Sequence, residues 1–177
     1  FALMAGVVVA RVLETYVDQI RLKWPNDVMV RGKKICGILL ETITITEQHF
    51  PVLILGIGLN TKGFLIDYPK ELQTVITTLE AEILRSSNAI SESEAASYLE
   101  NETVFQQLLK QLECCLEEFS YDAATTLRSE NIIDGRTALL QEWLKRSQAI
   151  GRKVRSLNNV EELTKGSETV GIIEGLT

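Results

Sequence analysis

Lys34 stands at the mouth of an apolar stretch, residues 35–40, with a glycine, Gly37, three positions on. A lysine so placed can hold its ammonium group over a pocket floored by bare backbone. There it could pair with a carboxylate or a phosphate where water is scarce and electrostatic stabilisation is strongest. The plainer reading is a solvated strand end. Asn26, Asp27 and Asn60 each close a strand-like run, and their short oxygen-bearing side chains suit turns. Asp27 could also hold Mg2+, an ion commonly bound by one carboxylate together with substrate phosphates. Gly56 and Gly58 repeat the device of Gly37 in a second apolar run that leads to Asn60. The other basic residues nearby, Arg21, Arg31 and Lys33, read as a solvated strand face and hairpin.

Several chemistries are excluded. Gly56-Ile57-Gly58 is too short for a dinucleotide fingerprint and opens no clear helix, and no phosphate-binding loop of the Walker type is present. The single histidine, His49, sits in a polar turn and rules out a site built on two imidazoles, leaving zinc binding and a Ser-His-Asp triad unsupported. Cys36, Cys114 and Cys115 make no disulfide framework; they read as reduced packing residues in a reducing, cytoplasmic compartment. A net charge of −6 argues against general nucleic-acid binding, which rests on neutralising phosphates. No apolar run reaches the roughly 18 residues of a membrane-spanning helix, so no membrane partner is expected. At 177 residues, 45% hydrophobic and 24% charged, the chain has ordinary globular usage and length for one full core with a small second domain. It opens on Phe1 and not on methionine, which suggests further residues upstream.

The elements that would position these residues follow from periodicity. Leu3, Gly6, Val7, Ala10, Leu13 and Val17 recur at helical spacing, predicting a largely buried amphipathic helix over residues 1–17. Residues 19–24 alternate, with Ile20, Leu22 and Trp24 inward, as a half-buried strand. Pro25 turns the chain; residues 28–30 form a short strand, and Arg31-Gly32-Lys33 a hairpin turn. Residues 35–40 read as a central strand, 42–48 as a turn and 50–59 as a further buried strand. Strands joined by tight turns imply an antiparallel sheet and not a βαβ array. Leu72, Val75, Ile76, Leu79 and Ile83 mark one helix. A polar linker follows at residues 86–93, with a capping-box pattern of Ser91 and Glu94. Phe105, Leu108, Leu109, Leu112, Leu116 and Phe119 mark the inward face of a longer helix, and Leu139, Leu140 and Trp143 that of a last one ending at Arg146. From Gly151 onward short alternating segments return.

Three pieces together carry a family resemblance: Lys23-Trp24-Pro25-Asn26-Asp27, then residues 33–41 (Lys-Lys-Ile-Cys-Gly-Ile-Leu-Leu-Glu), then Gly56-Ile57-Gly58-Leu59-Asn60. In this order and spacing they resemble the catalytic domain of biotin protein ligases. Residues 142–154 resemble that family's junction with a small C-terminal β-barrel. The resemblance implies an α+β fold, a mostly antiparallel sheet packed by helices and like the class II synthetases. It places the catalytic domain at residues 1–147 and the start of the barrel at 148–177. It implies an ATP-dependent ligase that forms biotinyl-5'-adenylate and passes biotin to a lysine of a carboxylase's biotin carboxyl carrier domain. By the same resemblance Lys34 is the catalytic residue and binds biotin along with Gly37, Leu39, Gly56 and Gly58. Trp24, Asn26, Asp27 and Asn60 surround ATP, with Trp24 packing beneath the site and Asp27 near Mg2+. An Arg- and Gly-rich loop that folds over the ligands in this family is expected upstream of Phe1. The rivals are a lipoate ligase of the same fold, a non-catalytic fragment, and a bifunctional repressor that binds DNA through an upstream helix-turn-helix domain. A homodimer is a further expectation.

Overall fold

The run from Met4 to Leu13 is apolar on almost every side except at Arg11, and it forms a helix that is buried nearly all round: α1, Ala2–Leu13. The computed structural model describes residues 1–44, 51–63, 65–86, 99–120, 134–148 and 150–151, and the backbone alone of 153–156 and 169–172. The expected helix of residues 1–17 stops short. Thr15 turns its hydroxyl back onto the Val12 carbonyl at 2.7 Å, and Gln19 adopts a positive φ of 65° that redirects the chain into the sheet.

Four strands follow as an antiparallel meander: β1 (Ile20–Lys23), β2 (Asp27–Val30), β3 (Lys33–Ile43) and β4 (Val52–Leu59), in spatial order β1-β2-β3-β4. The β2–β3 connection is tight because Arg31 and Gly32 both take positive φ, 49° and 82°, the backbone twist that suits a two-residue hairpin. Ile20, Leu22, Val28, Val30, Cys36 and Ile38 project from one face of the sheet onto α1.

Two strand expectations are corrected. Trp24 is not on the buried face: pairing ends at Lys23↔Asp27, so Trp24 falls in the connecting turn and is 58% exposed. Nor is β4 a buried strand. Among the described residues it pairs on one side only; Leu55, Ile57 and Leu59 pack partly against the core, while Val52, Leu53 and Ile54 are exposed.

The single helix expected from Leu72 to Ile83 is two short ones after a 3-10 turn (Leu65–Asp67): α2, Lys70–Gln73, and α3, Leu79–Ser86. Between them residues 75–77 run alongside the start of β3. Thr77 and Thr78, poor helix formers, break the pattern, and Thr78 caps α3 by accepting from the Ala81 amide at 3.2 Å. Leu72 and Val75 are exposed as a result.

Helices α4, Asn101–Ser120, and α5, Gly135–Arg146, cover the outer side of α1. On α4 the inward stripe is Val104, Leu108, Leu112, Cys115 and Phe119, whereas Phe105, Leu109 and Leu116, expected inside, are exposed. The stripe is set by Arg11, whose guanidinium bonds both Glu118 oxygens (2.8 and 3.0 Å) and the Cys115 Sγ at 3.2 Å, and so fixes how α4 is rotated. The Asp134 carboxylate caps α5, accepting from the Thr137 hydroxyl and from the Thr137 and Arg136 amides, and these bonds, the hydroxyl's foremost, hold its carboxyl below the usual range. Leu139 and Trp143 are buried and Leu140 half-buried. After α5 the chain returns to the sheet, where the Gln148 amide donates to the Leu22 carbonyl. Strands β5 (Lys153–Ser156) and β6 (Thr169–Ile172) pair antiparallel, as the alternation from Gly151 suggested. His49 and the Ser91/Glu94 capping box lie outside the described residues.

Candidate functional site

Register places the glycines. On the sheet face away from α1, Gly37 of β3 stands directly opposite Gly58 of β4, and Leu39 opposite Gly56; Asp27 of β2 flanks Gly37 on the other side. Directly paired residues share a face, so these positions form a window of bare backbone two strands wide. Steric need within the chain does not explain two of the glycines. A Cβ at Gly58 would sit 3.7 Å from the Gly37 carbonyl, and one at Gly56 3.7 Å from Leu39, both ordinary contacts. A concavity of about 480 Å³ occupies the window, lined by Asn26, Gly37, Ile38, Leu39, Gly56, Ile57 and Gly58.

Lys34 reaches this face through a change of parity. The register shifts between Val28 and Met29: Val28 pairs with Cys36 but Met29 with Lys34, which leaves Ile35 without a counterpart on β2. Such a bulge bends a strand and re-aims its side chains. Ile35 and Cys36, consecutive, are both buried, and Lys34 turns to the Gly37 side. Its Nζ lies 3.2 Å from where a Gly37 Cβ would be and 2.5 Å from Asp27 Oδ1. Cys36, on the opposite face, has its thiol pushed up to about 12 by burial, so it is an inert packing group.

Asn26 is held in place by its own bonds: its side-chain amide donates to the Ile38 carbonyl at 2.8 Å and its carbonyl accepts from the Ile38 amide at 2.9 Å. That ties the turn after β1 to the pocket floor. Of the residues named from sequence, Asn26, Gly37, Leu39, Gly56 and Gly58 line the concavity, and Lys34 and Asp27 adjoin it at Gly37. Trp24 and Asn60 are not among the lining residues. Trp24 is an exposed side chain two positions before Asn26, which overturns its expected place beneath the site. Asn60 donates from Nδ2 to the Thr77 carbonyl at 3.1 Å and from its backbone amide to the Ile35 carbonyl at 2.9 Å, at the bulge.

This arrangement suits an apolar ligand body laid against bare backbone with an anionic end at Lys34. At rest the ammonium is neutralised by Asp27, itself 3.9 Å from Lys23 Nζ, and an incoming carboxylate or phosphate can take Asp27's place. For a cation, the described residues contain no group of three or more histidine, cysteine or acidic side chains. Asp27 alone is not a resident metal site, though one carboxylate fits an ion whose other oxygens come from phosphates.

Sequence reasoning missed Thr77, Thr78 and Glu82, which are fully buried, having merged them into one helix. The signal was the Thr-Thr pair before Leu79, a helix-start pattern.

The model of the biotin/lipoate A/B protein ligase family matches residues 2–60, which span α1 and the whole sheet. A bifunctional ligase/repressor BirA of Bacillus subtilis is 38% identical over 78 residues, covering 44% of this chain and 24% of that protein. A biotin--[acetyl-CoA-carboxylase] ligase of Mycobacterium tuberculosis is 30% identical over 154 residues, covering 85% of this chain and 42% of that protein. The chain thus spans less than half the length of these curated relatives. The structure of a biotin protein ligase from Aquifex aeolicus in complex with biotin and ATP superposes with a TM-score of 0.64 at 22% identity, covering 99% of this chain and 60% of that one. The fold, a mostly antiparallel sheet packed by helices, is shared with that enzyme.

Proposed function

We propose that the chain, whose residues 2–60 match the biotin/lipoate A/B protein ligase family, is the catalytic part of an ATP-dependent biotin protein ligase. The observation that carries the reading is the Lys34 ammonium poised over the Gly37–Gly58 window. Biotin's ring system would lie on the bare backbone beside Leu39 and Gly56, its carboxylate reaching Lys34. A carboxylate oxygen attacks the α-phosphorus of ATP, the bond to the β-phosphate bridging oxygen breaks, and pyrophosphate leaves. A lysine amine of the carrier domain then attacks the acyl carbon, forming the amide and releasing AMP.

Lys34 neutralises the charge that builds where two anions are forced together, a fixed contribution that needs no reorganisation during the reaction. Asp27 keeps the ammonium on the ligand side until the carboxylate arrives. Asn26 holds the pocket floor through Ile38. Mg2+ arriving with the nucleotide would find one carboxylate in Asp27 and would supply further neutralisation of the phosphates. Supporting the biotin reading is the name of the mycobacterial relative; the acceptor, a biotin carboxyl carrier domain, and the cytoplasmic setting belong to the same proposal. The repressor half of the Bacillus relative's name would rest on an upstream DNA-binding domain and is no part of this proposal.

Pyrophosphate release by the full-length protein tests this. Lys34→Ala should lower it at least about 100-fold, the scale of losing one preorganised donor, with an unchanged circular dichroism spectrum. Near-normal release from a folded Lys34→Ala protein would remove the role given to this residue.

A further inference from the structure

Among the described residues, the fully buried polar side chains are Thr77, Thr78 and Glu82. A buried carboxylate is costly to desolvate, and replacing such groups with apolar ones is often neutral or stabilising, so their presence calls for a use. The Glu82 carboxylate accepts from Thr77 Oγ1 at 2.7 Å and from Arg31 Nε at 3.1 Å. Thr77 in turn bonds β3 at one place: its amide donates to the Lys34 carbonyl at 2.9 Å, while the Lys34 amide donates to the Val75 carbonyl at 2.8 Å. The next carbonyl, that of Ile35, accepts from the Asn60 amide, and Asn60's side chain returns to the Thr77 carbonyl. The backbone bonds of Thr77 and Asn60 converge on the bulge that turns Lys34 out of the core face.

We propose that Glu82 and Thr77 are positioning residues for Lys34: they lock the β3 bulge through the backbone of residues 75–77 and Asn60, and so fix the ammonium over the glycine window. The proposal rests on the ligase reading for its kinetic consequence but not for its structural one. It gives Asn60 a role at the bulge in place of the nucleotide contact expected from sequence. Arg31, in the β2–β3 turn, ties the turn end of the same hairpin to Glu82, so the turn and residue 77 meet at one carboxylate.

The test is a mutant cycle in the full-length protein. Thr77→Val removes the hydroxyl and keeps the shape; Thr77→Ser keeps the hydroxyl. Thr77→Val should slow single-turnover pyrophosphate release about tenfold, the worth of one lost buried hydrogen bond, and Thr77→Ser should restore the wild-type rate. In a Lys34→Ala background Thr77→Val should add no more than about twofold, since coupled residues are not additive. An equal loss with and without Lys34 overturns the proposal, as does a Val variant that matches wild type. Should Thr77→Val fail to fold, Glu82→Gln stands in: the charge-assisted acceptor becomes a neutral one, with a loss of about threefold that likewise vanishes without Lys34. Amide hydrogen exchange at Lys34 reads the same lock without any activity. Thr77→Val should speed it about tenfold and Thr77→Ser should not; unchanged exchange overturns the proposal. If the wild-type protein releases no pyrophosphate with biotin and ATP, the ligase reading fails while the exchange measurement still decides the lock.

Discussion

On the helix-covered face of the sheet, Ile20, Leu22, Val28, Val30, Cys36 and Ile38 fill the space against α1 and are all nearly solvent-free. On the other face, at neighbouring register positions, stand Lys23, Asp27, Gly37, Leu39, Gly56 and Gly58, and none of them is buried. The first face is specified by side-chain volume. The second is specified by volume left out, plus one charged group turned onto it by a bulge. A side chain added to the first region must therefore be felt by the fold, and one added to the second by the ligand. Glycine-to-alanine changes, one in each kind of region, separate the two.

The largest effect is expected in the helical layer. Gly135 opens α5 against the end of α4, and a Cβ there would run into the Glu118 carbonyl group. Backbone cannot yield as a side chain does. Gly135→Ala should cost at least about 2 kcal/mol, in the range of overpacked cores, seen as a lowered urea midpoint with the denaturant slope kept. Wild-type stability would mean that α4 and α5 do not cross as described.

A smaller effect in the same layer concerns charge. Arg11 bonds Glu118 and Glu142 together, and Arg146 bonds Glu14 and Glu142, joining α1, α4 and α5 through half-buried ion pairs. The hydrogen bond from Arg11, foremost, holds the Glu142 carboxyl below its ordinary value of 4.5. A carboxyl lowered in the folded state contributes stability that is fully present above that ordinary value and is lost as pH falls through the lower, folded one. Arg11→Met should remove about 1 kcal/mol at neutral pH, discounted for partial exposure, and flatten the decline of stability below pH 4.5. A Met variant with the wild-type acid limb would show that the network adds nothing.

The same contrast explains what was legible in the sequence. Period-2 and period-3.6 patterns report buried volume, so α1, the meander and α5 could be read from Ile20, Leu22, Val28 and Leu139. The pattern failed where apolar residues are not buried: Phe105, Leu109 and Leu116 on α4, and Val52 to Ile54 on the one-sided edge strand β4. The glycines of the window were visible as interruptions of apolar runs, and Lys34 as a charge at a strand mouth. The bulge at Ile35 was not visible, because an extra residue leaves no mark on a continuous apolar run. Thr77 and Glu82 were hidden for a related reason, since the Thr77 amide bonds the β3 backbone and the Glu82 carboxylate bonds the Arg31 guanidinium, each more than forty residues back.

The smallest expected change in stability, at Gly58, gives the sharpest reading of the site. A methyl there meets only the Gly37 carbonyl at 3.7 Å. Gly58→Ala should leave stability unchanged or raise it by up to about 1 kcal/mol, through a less flexible unfolded chain. It should also weaken biotin binding at least about tenfold, because the methyl takes space that the ligand needs. Calorimetric titration of biotin into wild-type and Gly58→Ala full-length proteins, alongside their denaturation curves, measures both at once. The predicted result is an intact fold with lost affinity; equal biotin affinity in a stable Gly58→Ala protein would contradict the claim that this bare face is the biotin floor.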